Sequence, residues 1–345
     1  MRSHKNKLRT TAALIIVLAL LTAAFAGCSG TGTTETPAPA VSSEPAETTT
    51  IAETTKEASD TTTATDSSAI MLTDMKGRDF ELDGPATRIV ALTAADCEIL
   101  YAVGAGDTLV GRGEYCNYPE EVLDIPAVQS GSETNIEQII SLEPDVVIMG
   151  TMDQSLEQIE ALEQAGFLVV VTDAQDVNGI YESISLIGGV TGHDSEAVEL
   201  NENIKTELAA ISEKASKKAG SEKKSVYFEV SPLEWGLWAA GSGTFMNELA
   251  ELIGLENSFS DVDQWGEISQ EQVIERDPDY IVTIAMYFGE GPKPEEEIMS
   301  RPGWSDLTAV KNEQVFNADS DELSRPGPRI VEGIKSLYSF VYGES

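Results

Sequence analysis

Asn135-Ile136-Glu137-Gln138-Ile139-Ile140-Ser141-Leu142-Glu143-Pro144-Asp145-Val146-Val147-Ile148 has a counterpart 134 positions later, Ser269-Gln270-Glu271-Gln272-Val273-Ile274-Glu275-Arg276-Asp277-Pro278-Asp279-Tyr280-Ile281-Val282. Each copy reads as a short helix carrying Glu-Gln, a stop at Pro-Asp, and then a buried parallel strand. A period this long exceeds a solenoid unit and matches a whole lobe. The chain therefore reads as two related α/β lobes. The cleft between two lobes is where ligands usually bind.

The segments around the first copy extend this pattern. Residues 71–83 alternate loosely about Gly77, as in a β-hairpin. Arg88–Leu92 is an apolar run, read as the first parallel strand. A helix from Asp96 to Val103 stops at Gly104 and Gly106, and Thr108–Gly111 is the next strand. After the repeat come a helix over about 154–164 and the strand Phe167–Val171. Alternating strands and helices with short loops imply a parallel sheet covered on both faces. Between the lobes, one helix spans about 177–190 and breaks at Gly188-Gly189. A second begins with Asp194 as its N-cap and runs to about Ala219 with Val198, Ile204, Leu208 and Ile211 at helical spacing. The second lobe opens at Ser225–Val230. It continues through an aromatic loop with Trp235 and Trp238, a helix over 245–253, the second repeat copy and a late strand at 314–316. A last helix covers about 328–342.

The N-terminus sets the compartment. Arg2, Lys5, Lys7 and Arg9 precede an apolar run from Ala12 to Ala26, too short for a membrane span. The run ends Phe25-Ala26-Gly27-Cys28-Ser29, which resembles a bacterial lipoprotein signal in which Cys28 becomes the lipidated first residue. Residues 29–68 are Thr, Ser, Ala, Pro and Glu with one cation, Lys56, and no aromatic. Such a segment cannot offset its ordering entropy and reads as a disordered tether, spanning roughly 35 Å on average. Two acyl chains on Cys28 suffice for stable anchoring. The expected organisation is a signal peptide over 1–27, lipidated Cys28 and tether over 28–68, an N-terminal lobe over 69–176, a helical segment over 177–222 and a C-terminal lobe over 223–345.

The formal charge is −37. That excludes nucleic acid as a partner and suits docking to a basic surface. Cys97 and Cys116 form either one disulfide or two free thiols. His193 is the single histidine after the signal, placed at a helix boundary. A histidine-rich metal receptor and a Ser-His-Asp triad are thus disfavoured. Gly104-Ala105-Gly106-Asp107 lacks the third glycine and the lysine of phosphate-binding loops. No pair of carboxylates stands out as a hydrolase site.

In order, Tyr115-Cys116-Asn117-Tyr118-Pro119, Asn135-Ile136-Glu137, Glu271-Gln272-Val273, Ser320-Asp321, Arg325 and Pro328-Arg329-Ile330 resemble the iron-siderophore, haem and cobalamin family of ABC-transporter substrate-binding proteins, and the cobalamin-binding members most. The resemblance spans nearly all of residues 70–345. It implies two Rossmann-like α/β lobes with parallel sheets joined by one long rigid helix, the class III periplasmic binding arrangement. It implies a monomeric receptor with no cofactor, no resident metal and no covalent chemistry, which hands its ligand to an ABC permease dimer and its ATPase. Glu137 and Glu271 fall where the family presents one carboxylate per lobe to permease arginines. Two exposed anions, one per lobe, suit a two-fold partner. Tyr115, Trp238 and Trp265 fall on cleft-lining positions, where flat rings suit a macrocycle. Asp321 and Arg325 sit on a last loop that faces the cleft, placed to hydrogen-bond ligand amides. Two positions that carry tryptophan in a cobalamin-binding member are Gly131 and Gly150, which implies a flatter or wider first-lobe wall. The ligand expected is a corrinoid, with a ferric siderophore as the alternative. Haem ranks lower because histidine is scarce. A surface enzyme or adhesin is the alternative from another class.

Overall fold

The computed structural model describes residues 69–131, 133–151, 156–220, 222–287 and 289–343. All of them belong to one compact unit, Ala64–Ser345. Cys28, the signal and the whole tether lie outside the described residues.

The hairpin of β1 (Ile70–Thr73) and β2 (Asp79–Leu82) turns through Gly77 at φ 74°. The first lobe then alternates β3 (Ile89–Ala91), α1 (Ala94–Ala102), β4 (Leu109–Gly113), β5 (Ala127–Val128), α2 (Ile136–Leu142), β6 (Val146–Gly150), α3 (Leu156–Gln164) and β7 (Leu168–Thr172). Its strands pair in the order β5-β4-β3-β6-β7, all parallel. Ile89, Val90 and Ala91 are each fully buried, as a parallel strand covered on both faces requires.

Two helices follow, α4 (Val177–Thr191) and α5 (Asp194–Lys218). The expected break at Gly188-Gly189 does not occur. The helix runs on to Thr191 and ends at Gly192 in the left-handed region. The two glycines serve packing instead. A Cβ on Gly188 would lie 2.5 Å from the Ala197 Cβ of α5, and one on Gly189 would lie 3.1 Å from Leu72 of the hairpin. Asp194 opens α5 as its first helical residue, with His193 at the cap position one residue earlier.

The second lobe contains β8 (Ser225–Ser231), β9 (Leu237–Ala240), α6 (Phe245–Leu252), β10 (Glu256–Asn257), β11 (Trp265–Ile268), α7 (Gln270–Arg276), β12 (Tyr280–Thr283), α8 (Pro294–Ser300), α9 (Thr308–Lys311), β13 (Val315–Asn317), α10 (Ser320–Leu323) and α11 (Ile330–Tyr342). Its sheet, ordered β11-β9-β8-β12-β13 with β10 also on β8, is mixed rather than wholly parallel. β9 runs antiparallel to β8 because the chain reverses at Gly236, φ 91°. So short a connection cannot make a parallel crossover.

At 25 residues, α5 is about 38 Å long. Its Ile204, Leu208 and Ile211 share one apolar cluster with Ile187 and Val190 of α4 and with Ile334 and Leu337 of α11. The core is therefore continuous through the helix that joins the lobes.

The repeated phrase folds twice in the same way. Asn135 and Ser269 cap α2 and α7 by accepting hydrogen bonds from the Gln138 and Gln272 backbone N–H groups. Both helices end on a left-handed residue, Glu143 at φ 48° and Asp277 at φ 42°, directly before the proline. The aspartate after each proline pins the neighbouring strand. Asp145 Oδ2 accepts from the Thr87 and Arg88 N–H groups at 3.0 Å, ahead of β3. Asp279 Oδ2 accepts from the Ser225 N–H at 2.9 Å, at the start of β8.

Candidate functional site

Every strand of the first lobe points its carboxyl end at one cavity of about 370 Å³. Thr93 follows β3, Tyr115 follows β4, Gly131 follows β5, Thr151 follows β6 and Asp173 follows β7, and all five line it. Loops at the carboxyl ends of parallel strands are where α/β sheets hold ligands. The second lobe closes the cavity with Met286, beyond β12, and with the segment Ser320–Pro326, beyond β13. A more open groove of about 680 Å³ runs between α5 and α11, lined in part by Lys214 and Lys335. No strand ends converge there, so the interlobe cavity is the candidate site.

Asp96, in the first turn of α1, forms the floor with 1% of its surface exposed. Its Oδ2 accepts hydrogen bonds from the Thr93 hydroxyl and, at 3.2 Å, from the Thr172 hydroxyl. Asp173 accepts from Thr151 and pairs with Lys76 at 2.6 Å. Burial pushes the Asp173 carboxyl up, but the bonds from Lys76, Thr151 and Gln175 outweigh it and hold the group below its ordinary value.

Asp321 and Arg325 both line the cavity. They are already engaged. The Arg325 guanidinium pairs with Asp321 at 2.7 Å and reaches across the cleft to Glu98 of α1 at 2.8 Å. It also donates to Asn117 Oδ1 at 2.8 Å and to the Tyr115 carbonyl at 3.2 Å. Asn117 in turn donates to Asp321 at 2.8 Å. Arg329 lies over the Tyr118 ring, 4.3 Å from its centroid. This side of the cleft is thus clamped by ionic and polar bonds. Burial pushes the Glu98 carboxyl up against the opposing pull of Arg325 and Arg329.

Tyr115 stands at the mouth, 71% exposed. The two tryptophans are not brought into the cavity with it. Trp265 is half-buried on β11, edge-on to Phe245 at 5.6 Å, and its indole N–H donates to Gln175 Oε1 at 3.3 Å. Gln175 sits just ahead of α4, so Trp265 braces the joint between the lobes. Trp238 is 39% exposed on β9, opposite Ser231 at the carboxyl end of β8. It flanks the cleft-facing edge of the sheet without lining the cavity.

Gly131 and Gly150 do line the first-lobe wall. At Gly131 a side chain would meet nothing closer than Tyr115, at 4.0 Å, although φ is +96°. At Gly150 a Cβ would come within 3.0 Å of Thr93. The wall is open at the first and close-packed at the second. Glu137 and Glu271 are exposed in the first turns of α2 and α7, on equivalent positions of the two lobes. Cys97 and Cys116 are buried free thiols, and burial together with the Cys116 neighbour pushes the Cys97 thiol well up. His193 Nδ1 lies 3.0 Å from the Thr191 carbonyl between α4 and α5. Among the described residues no cluster of three or more His, Cys, Asp or Glu side chains is placed to hold a metal ion. Nor is any helix long and apolar enough to cross a membrane.

The sequence reading missed Asp96, Glu98 and the clamp. Two acids within three positions of an otherwise apolar helix, Asp96-Cys97-Glu98, were the available signal.

A family model described as periplasmic binding protein matches residues 89–322. The ABC transporter substrate-binding lipoprotein YvrC of Bacillus subtilis, itself uncharacterized, is 34% identical over 279 residues, covering 80% of this chain and 86% of that one. The crystal structure of a possible iron-binding (periplasmic solute-binding) protein from Staphylococcus epidermidis matches at 32% identity and a TM-score of 0.65, covering 74% of this chain and 99% of that one. The periplasmic vitamin B12 binding protein BtuF of Vibrio cholerae matches at 25% identity and a TM-score of 0.63, covering 74% of this chain and 97% of that one. With two α/β lobes on a helical spine and a cavity at their strand ends, the chain belongs to the periplasmic binding protein family.

Proposed function

We propose that the protein is the extracytoplasmic solute-binding component of an ABC importer, anchored through lipid on Cys28. It captures a metal chelate, a corrinoid first, and delivers it to a permease dimer. The observation that carries this reading is the convergence of all five first-lobe strand ends on a cavity roofed by the other lobe. The cavity is smaller than a whole corrinoid. The macrocycle therefore lies at the mouth beside Tyr115 and Met286, with its edge groups reaching toward Asp96. Trp238, exposed beside the carboxyl end of β8, is the further aromatic surface proposed for the ligand. Trp265 contributes by bracing the joint, and Asp321 and Arg325 by closing one side.

Glu137 and Glu271 are the docking anions. They stand on matching turns of twin helices, and rim charges of this kind set register and association rate. The test is uptake by cells expressing the Glu137→Ala, Glu271→Ala double variant. Uptake should be abolished while ligand affinity stays unchanged. Unchanged uptake would remove the transport reading and favour a surface enzyme or adhesin. The likeness to the Staphylococcus epidermidis protein supports a ferric chelate as the second reading of the ligand.

A further inference from the structure

Ile140 and Ile274 occupy the same place in the two copies of the repeated phrase, and both are exposed, at 51% and 43%. Every other isoleucine among the described residues is buried or half-buried. Loose packing of the helices does not cause this exposure. The residue just before each isoleucine, Ile139 in α2 and Val273 in α7, is fully buried and holds its helix on the core of its own lobe. Each exposed isoleucine follows its glutamate, Glu137 or Glu271, by three positions. That spacing sets the two side chains side by side on the helix surface, about 5–6 Å apart at Cβ. From each glutamate to the residue after the isoleucine, the order exposed, exposed, buried, exposed, exposed is identical in α2 and α7.

The topology puts the two pairs at corresponding ends of their lobes. α2 follows β5 and leads into β6, so it begins at the carboxyl ends of the first-lobe strands. β11 and β8 both run antiparallel to β9, so β11 is parallel to β8 and to β12. α7 follows β11 and leads into β12, and therefore begins at the same end of its own sheet. In both lobes these are the ends from which segments reach the cavity. Each helix thus opens on the cleft side of its lobe.

A single exposed apolar side chain is ordinary on a protein surface. Two alike, each three positions after an exposed acid, on helices that the repeat makes equivalent, form one motif presented twice. Such a motif is complementary to a partner surface that is also presented twice, as a two-fold homodimer offers. Burying an isoleucine in a partner removes apolar area from water and slows dissociation, whereas an exposed rim charge mainly speeds association. We infer that Ile140 and Ile274 are the apolar anchors of docking, each filling a socket beside a cation on one copy of a two-fold permease. The inference deepens the receptor reading above and rests on it. It divides the work within each pair: the isoleucine holds the complex, and the glutamate guides and registers it.

The test is binding of the purified lipid-free protein to the metal-chelate permease–ATPase complexes of the source organism, held in lipid nanodiscs. Association and dissociation rates are measured at low and high salt. Ile140→Ser and Ile274→Ser are the variants, because serine matches isoleucine in helix propensity and both positions face solvent. Each should raise the dissociation rate about tenfold, with the association rate and its salt dependence unchanged. The double variant should approach about a hundredfold, since the two sites lie on different lobes. Ile140→Leu and Ile274→Leu should dissociate as wild type does. Glu137→Ala and Glu271→Ala should instead slow association and flatten its salt dependence. If wild type binds a complex and both serine variants leave it as slowly, the anchors are wrongly assigned and the receptor reading stands. A loss in one serine variant alone would overturn the two-fold pairing. If wild type binds none of the complexes, the receptor reading falls and takes the inference with it.

Discussion

Replacing Arg325 with glutamine tests how the lobes are held on the cleft side. Arg325 joins Asp321 of its own lobe to Glu98, Asn117 and the Tyr115 carbonyl of the other. Only 13% of the Arg325 side chain and 1% of the Glu98 side chain are exposed. Removing one member of a buried pair typically costs 3–5 kcal/mol, because the other charge is stranded. Arg329 remains 3.9 Å from Glu98 and moderates the loss, so about 3 kcal/mol is expected, or a fall of roughly 6 °C in Tm for a domain of this size. The loss should also depend on pH in a defined sense. The Glu98 carboxyl is raised by burial even with Arg325 present, and its removal raises it further. A carboxyl raised in the folded state destabilises above that raised value. The penalty disappears as pH falls to the ordinary glutamate value, where both states bind the proton. Denaturant melts of wild type and Arg325→Gln at neutral pH and near pH 4 give the comparison. A neutral-pH loss below about 1 kcal/mol, or a loss that does not shrink on acidification, would refute the reasoning.

Four further outcomes follow from the same geometry. Gly188→Ala places a Cβ 2.5 Å from Ala197; overpacking should outweigh the helix-propensity gain and leave a net cost of about 2 kcal/mol, with Ala197→Gly restoring it. A Gly188→Ala melt at or above wild type would contradict the close approach of α4 and α5. The Asp279 carboxyl is pushed up by burial but lowered on balance by Lys224 and Ser225. Its contribution is present above the ordinary aspartate value and lost as pH falls through and below it, so Asp279→Asn should cost about 2 kcal/mol at neutral pH and much less at pH 3. Because the apolar core continues through α5, ligand addition should change the radius of gyration little, and a large compaction in solution scattering would show that the spine bends. Tyr115→Ala should weaken ligand binding by about tenfold, and Trp265→Phe much less, in a direct titration; the reverse order would move the binding face toward β11.

Local pattern carried the sequence reading as far as local forces reach. The two copies of helix, Pro-Asp and strand were legible because caps, a left-handed stop and a buried β-run each depend on residues within a few positions of one another. The same holds for the hairpin at Gly77 and for the apolar stripe of α5. Asn135 and Ser269 could be read as helix starts, and their bonds to Gln138 and Gln272 lie three residues away.

The remaining features depend on partners distant in the chain. Arg325 meets Glu98 across 227 residues and Asn117 across 208, so a residue that lines the cavity also binds the opposite lobe. Gly188 reads as a helix breaker along the chain and becomes a packing notch only when α5 lies against it. Nothing in the linear order shows that the Trp265 indole N–H donates to Gln175, 90 residues earlier. Asp96 looks like an ordinary acid at a helix start, and only the strand ends folded around it make it the floor of a cavity. Sequence determined the elements and their duplication because those arise from short-range sterics and hydrogen bonding. Tertiary structure alone decided which charges are paired and which line the cavity, because desolvation and pairing depend on neighbours that the linear order does not reveal.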